Sequence, residues 1–178
     1  MIDETTGAQV GVTEAVSAIH AGDGYIVSRV SAIDAFDIAA PFDFLVTTPD
    51  TAIRVHMRVH GTSNTPAVIS IYEDSGVLAT FDVEDGTIWT PIQQDRNSSN
   101  TSAVVVVHTP TVNVATANLL QQRMSGKAGG HQNLQFILKQ NTNYLFRFIS
   151  LVDDNEGSFV LEWDEKIHKK FTGSVGAV

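Results

Sequence analysis

A period-two alternation of apolar and polar side chains is the feature that most restricts what this chain can become. Thr51 to His60 puts Ile53, Val55, Met57 and Val59 on one face and Arg54, His56, Arg58 and His60 on the other. Successive side chains of a strand point to opposite sides of the pleat, so this segment suits a half-buried strand and not a helix. The C-terminal third repeats the pattern with larger side chains. Phe136 to Lys139, Tyr144 to Ile149 and Ser158 to Trp163 read as closely spaced strands, with Tyr144, Phe146 and Phe148 on one face and Phe159, Leu161 and Trp163 on another. The turn Val152-Asp153-Asp154-Asn155-Glu156-Gly157 between the last two predicts an antiparallel hairpin.

Further strands are expected at Tyr25 to Val30, after the turn Gly22-Asp23-Gly24, and at Phe42 to Val46. Ala67 to Tyr72 and Gly76 to Phe81 follow, joined by a hairpin turn at Glu73-Asp74-Ser75-Gly76. Ile88 to Ile92 contains Pro91, which cannot donate to a ladder, and so suggests a short edge strand. The β-branched run Ala103 to His108 predicts a strand buried on both faces. Ala32 to Ala40 fits strand or helical spacing, and Thr109 to His131 reads as an irregular, mobile loop. Thr13 to His20 has the length and the Thr13 cap of a short helix, but residues 1–21, poor in aromatic side chains, read as an extended arm. The fold expected is all-β: an antiparallel β-sandwich of jelly-roll type over residues 22–165, with roughly eight to ten short strands. Residues 166–178 form a polar, glycine-containing tail. The expected core comprises Ile53, Val55, Met57, Val59, Ile69, Ile71, Val105, Val107, Phe136, Leu138, Phe146, Phe148, Phe159, Leu161 and Trp163.

Composition narrows the function. A chain of 178 residues with 43% apolar content can bury one substantial core. A formal charge of −9 argues against a nucleic-acid partner, because phosphate binding relies on clustered Lys and Arg. No apolar run approaches the ~20 residues of a membrane span, and Met1-Ile2-Asp3-Glu4-Thr5 lacks the basic, apolar profile of a secretory signal. A soluble product, with neither membrane nor nucleic acid as partner, is the expectation. The absence of cysteine excludes disulfides, thiolate metal sites and cysteine nucleophiles.

The stripe Arg54, His56, Arg58 and His60 is the candidate protein interface, since four basic or titratable side chains on one face of an acidic protein suit an acidic partner surface. Cross-strand pairing with the chain's own carboxylates is the favoured alternative. His56 and His60 lie about 13 Å apart along a strand, too far to share one ion, so no metal site is expected. Asp153, Asp154 and Glu156 lack calcium-loop spacing and read as a solvated turn. Ser125-Gly126-Lys127 lacks the phosphate-loop pattern, and nucleophile-elbow, zinc-protease and dinucleotide motifs are missing. No catalytic residue and no cofactor is expected; the reading is of a protein that is not an enzyme.

The segments Gly24-Tyr25-Ile26-Val27-Ser28-Arg29-Val30, Phe42-Asp43-Phe44-Leu45-Val46, His60-Gly61-Thr62-Ser63-Asn64-Thr65 and Leu138-Lys139-Gln140-Asn141-Thr142-Asn143-Tyr144-Leu145-Phe146-Arg147-Phe148 resemble structural proteins of tailed bacteriophages. The resemblance covers roughly residues 22–165 and is strongest to capsid decoration, or cement, proteins. It implies a non-enzymatic virion protein, made in the host cytoplasm, that binds the outer capsid surface and stabilises the head. Its partners would be the major capsid protein and, as a homotrimer, itself. The alternative is a receptor- or glycan-binding module of a tail fibre or spike, with Trp89 as sugar platform and Trp163 assigned to the core.

Overall fold

A computed structural model of the chain describes residues 14–74, 86–110, 112, 114, 117–125 and 132–167. One short helix, α1 (Glu14–His20), precedes strands β1 (Gly24–Val30), β2 (Phe42–Thr47), β3 (Ile53–Ser63), β4 (Ala67–Glu73), β5 (Thr87–Ile88) and β6 (Ile92–Gln93). Five more follow: β7 (Val105–His108), β8 (Asn118–Ser125), β9 (Gln132–Leu138), β10 (Asn143–Ser150) and β11 (Gly157–Ile167). One sheet has the order β6-β1-β11-β3-β9 and the other β5-β7-β2-β10-β4-β8. Every pairing is antiparallel, so the fold is an all-β sandwich.

The alternation read from the sequence places the core between the sheets. Val55, Met57 and Val59 of β3 are buried, and Met57 lies opposite Trp163, and Val59 opposite Leu161, on β11. Phe44, Phe146 and Phe148 face them from the second sheet, and Phe159 stacks at 5.8 Å on Phe44 and 5.3 Å on Phe148. Each such side chain contributes about 1.5–3 kcal/mol on leaving water, which is why an apolar stripe fixes the register of its strand. Gly61, on β3, leaves room for this packing, since a Cβ there would lie 2.7 Å from Cδ1 of Ile69.

Several expectations change. β10 and β11 do not form a hairpin: β10 pairs with β2 and β4, whereas β11 pairs with β1 and β3 in the other sheet. The turn between them spans the sandwich, and both aromatic strands become central ones with partners on either side. The expected strand from Ile88 to Ile92 divides at Pro91 into β5 and β6, which lie at the edges of opposite sheets. The stretch read as a loop over Thr109 to His131 contains β8, an edge strand whose side chains are nearly all exposed or half-exposed and therefore show no burial period. Val106 on β7 and Val104 just before it point into the core and Val105 is exposed, while Val107 is buried on the outer face with Leu45 and Leu145. Of the other expected core residues, Ile53 and Phe136 are part-buried.

Ala32 to Ala40 is neither strand nor helix, apart from a single bridge between Phe36 and Asn155. Residues 14–20 are helical and pack by Ala18, which is buried, so the short-helix reading applies there rather than the extended arm. The rest of the arm, the strand expected at Gly76 to Phe81 and the tail beyond Ile167 lie outside the described residues.

Candidate interaction surface

The four residues of the predicted stripe share the outer face of β3, beside β11. The register sets Arg58 opposite Glu162, His56 opposite Asp164 and Arg54 opposite Lys166. Arg58 Nη1 donates to Asp164 Oδ1 at 3.2 Å and its Nε lies 3.7 Å from Glu162. His56 Nδ1 is 3.8 Å from Asp164, and His60 Nε2 is 3.7 Å from Glu162. Lys166 Nζ adds a third basic group 3.5 Å from Asp164, which is only 2% exposed. Helix α1 covers the neighbouring part of this face, since a Cβ on Gly24, opposite Asp164, would approach Ile19 Cγ1 at 3.0 Å. Cross-strand pairing thus engages His56, Arg58 and His60 within the chain. Exposed pairs contribute at most about 1 kcal/mol, but a buried carboxylate stripped of its cation is costly. Arg54 is exposed and has no ion-pair partner among the described residues.

Three other charged networks are clamps. Arg147 holds Asp43 with two bonds of 2.8 and 2.7 Å across β10 and β2, a fork that keeps the guanidinium pKa above its usual value despite burial. Tyr144 donates its hydroxyl proton to Glu73 Oε2 at 2.9 Å, while Lys139 Nζ reaches Glu73 Oε1 at 2.6 Å. Burial, aided by Glu73, pushes the Tyr144 hydroxyl well above the ordinary tyrosine range. Glu165 accepts from Ser102 Oγ, the Ala103 amide and Trp163 Nε1, tying the loop before β7 to β11.

Trp163 is fully buried, in agreement with its core assignment. Trp89 is part-buried and edge-on to Phe44 at 5.6 Å and His108 at 4.8 Å, packing that takes ring surface away from a sugar. Burial and the neighbouring Arg29 lower the His108 pKa. Among the described residues, no three His, Asp or Glu side chains are placed to hold a metal, and no helix is long and apolar enough to cross a membrane.

Sequence reasoning missed the sandwich end formed by the β1–β2, β3–β4 and β10–β11 loops. Phe36, fully buried, plugs it from beneath, 4.7 Å from Phe42 and 4.8 Å from Phe148. Phe36 N–H donates to Asn155 O at 3.0 Å, Asp154 N–H to Asp37 Oδ1 at 2.9 Å and Ile38 N–H to Asp153 Oδ1 at 3.3 Å. Asn155, itself buried, accepts from the Thr65 amide and donates to Ser150 Oγ, joining the third loop. A surface depression of about 570 Å³ opens there, lined in part by Val30, Ile33, Thr62, Asn64 and Ser158. Its signal in the sequence was a set of isoleucines, leucine and valine set among aspartates in loops, where alternation gives no reason for them. Compared with protein-family models, with curated proteins and with solved structures, the chain finds no match.

Proposed function

We propose that this protein is a non-enzymatic structural protein of a tailed-bacteriophage virion, which binds the outer capsid surface as a homotrimeric decoration protein and bridges major capsid subunits. The observation that carries the reading is the strand order. Setting aside the short edge strands β5 and β6 and the flanking β7, eight strands remain, ordered β1-β11-β3-β9 and β2-β10-β4-β8. The chain changes sheet at every step except β4 to β8, an order that supports a jelly roll built of two Greek keys. Jelly rolls recur in viral capsid and lectin domains, and the phage-like sequence segments favour the first of these. The charged clusters described above are occupied in holding strands together, which suits a protein that acts through its surface.

A clamp that binds only the assembled, expanded lattice shifts the shell toward the intact state by mass action. Attachment as a trimer multiplies modest contacts, so each need not be strong. Purified protein added to undecorated expanded heads should cosediment with them and raise the temperature at which they release DNA. Heads that neither bind the protein nor gain heat resistance would refute the proposal.

A further inference from the structure

The three-loop end of the sandwich is apolar and acidic together, and its loops are hydrogen-bonded to one another. Val30, Ile33, Ile38, Leu151 and Val152 are all exposed there, Ile33 to 80% and Val30 to 71%. Interleaved with them stand Asp34, Asp37, Asp153, Asp154 and Glu156, none with an ion-pair partner among the described residues. Scattered exposed apolar residues are ordinary, but a cluster at one end of a fold marks an interaction site. Nor is this cluster a set of slack loops: the buried Phe36 and Asn155 and the hydrogen bonds between the loops fix it in place. A preformed surface loses little conformational freedom on binding. Asp154, at φ 54°, takes up the left-handed backbone that the short crossing needs.

We infer that this end docks a basic, apolar segment of a partner protein, with the partner's aliphatic side chains entering the depression beside Ile33 and its Lys or Arg residues meeting the carboxylates, which have no cation beside them among the described residues. Charge complementarity selects that partner: the five carboxylates would repel an acidic surface, and an uncharged one would desolvate them with no opposite charge in return. The β3 stripe is unlike this end, since His56, Arg58 and His60 already face Glu162 or Asp164 and leave only Arg54 of the four without a carboxylate beside it among the described residues. The inference rests on the reading of the chain as a docking module and not on the virion setting. Decorated heads whose protein ignores a basic apolar probe would therefore sink this inference alone.

The test is a titration of the ¹⁵N-labelled full-length chain with a blocked peptide of alternating Lys and Leu, in salt that shortens the Debye length to about 8 Å. Amide shifts should concentrate in residues 30–38, 62–64 and 151–158, and a matching Glu/Leu peptide should leave them unmoved. The double variant Ile33→Ser, Val152→Ser changes only exposed side chains; it should weaken binding about tenfold, a loss of about 1.4 kcal/mol, with the rest of the spectrum unchanged. No shift at millimolar peptide, shifts centred on β3 and β11, or equal affinity in the variant would overturn the inference. Loop shifts that follow protein concentration without peptide would overturn it too, by assigning the face to a second copy.

Discussion

Gly157 lies under the ring of Phe36, so closely that a Cβ at 157 would sit 2.6 Å from Phe36 Cδ1. The contact fastens the β1–β2 loop to the start of β11 and so sets the height of the whole loop end. Gly157→Ala should destabilise the fold by about 1–3 kcal/mol, the usual cost of overpacking. Phe36→Ala should cost about 3–5 kcal/mol by leaving a cavity. Urea unfolding measures both, and an unchanged midpoint in either variant would contradict the packing described.

Arg58 shields Asp164, and removing it should cost more than an exposed salt bridge does. Arg58→Ala leaves a nearly buried carboxylate with only Lys166 and His56 nearby, for a loss of about 2 kcal/mol. Arg54→Ala, at the exposed end of the same stripe, should change stability by less than about 0.5 kcal/mol. Adding Asp164→Ala to Arg58→Ala should recover part of the loss, as a double-mutant cycle would show.

The hydroxyl of Tyr144 gives the fold an alkaline limit. Its folded-state pKa is raised, chiefly by burial, so the native chain holds this proton more tightly than the unfolded one does. The stability it adds is complete below about pH 10, the ordinary tyrosine value, and is lost as the pH rises above that. Tyr144→Phe should be weaker by about 1 kcal/mol at neutral pH through the lost bond to Glu73. It should also lose less stability than the unaltered chain between neutral pH and pH values above about 10. Parallel loss in the two proteins would contradict the assignment.

Helix α1 and the residues before it should separate in a truncation series. Deleting residues 1–13 should leave the unfolding midpoint in place and weaken attachment to heads. Deleting through residue 22 removes Ala18 and Ile19 from the outer face beside β1 and should lower the midpoint as well. If the shorter deletion decorated and protected heads as well as the full chain does, the arm would have no part in attachment.

Much of the sandwich was legible because burial on one face leaves a period of two, as in Val55, Met57 and Val59 or Phe159, Leu161 and Trp163. β8 was not, since an edge strand with Leu119, Leu120 and Met124 all exposed has no buried face to impose a period. Sheet membership was equally hidden. Nothing local in Val152 to Gly157 distinguishes a hairpin turn from a crossing between sheets, because the choice is made by β2, β4, β1 and β3, far away in the chain. The β3 stripe was found as a pattern, but its neutralisation by Glu162 and Asp164 depends on register across β11.

Where the protein sits on the particle decides between decoration of the head and every other role. Imaging of virions that carry this chain with a small tag should show density on the outer head surface, in three-fold clusters bridging neighbouring capsid subunits. Density confined to the tail tip, or none on the particle, would contradict it.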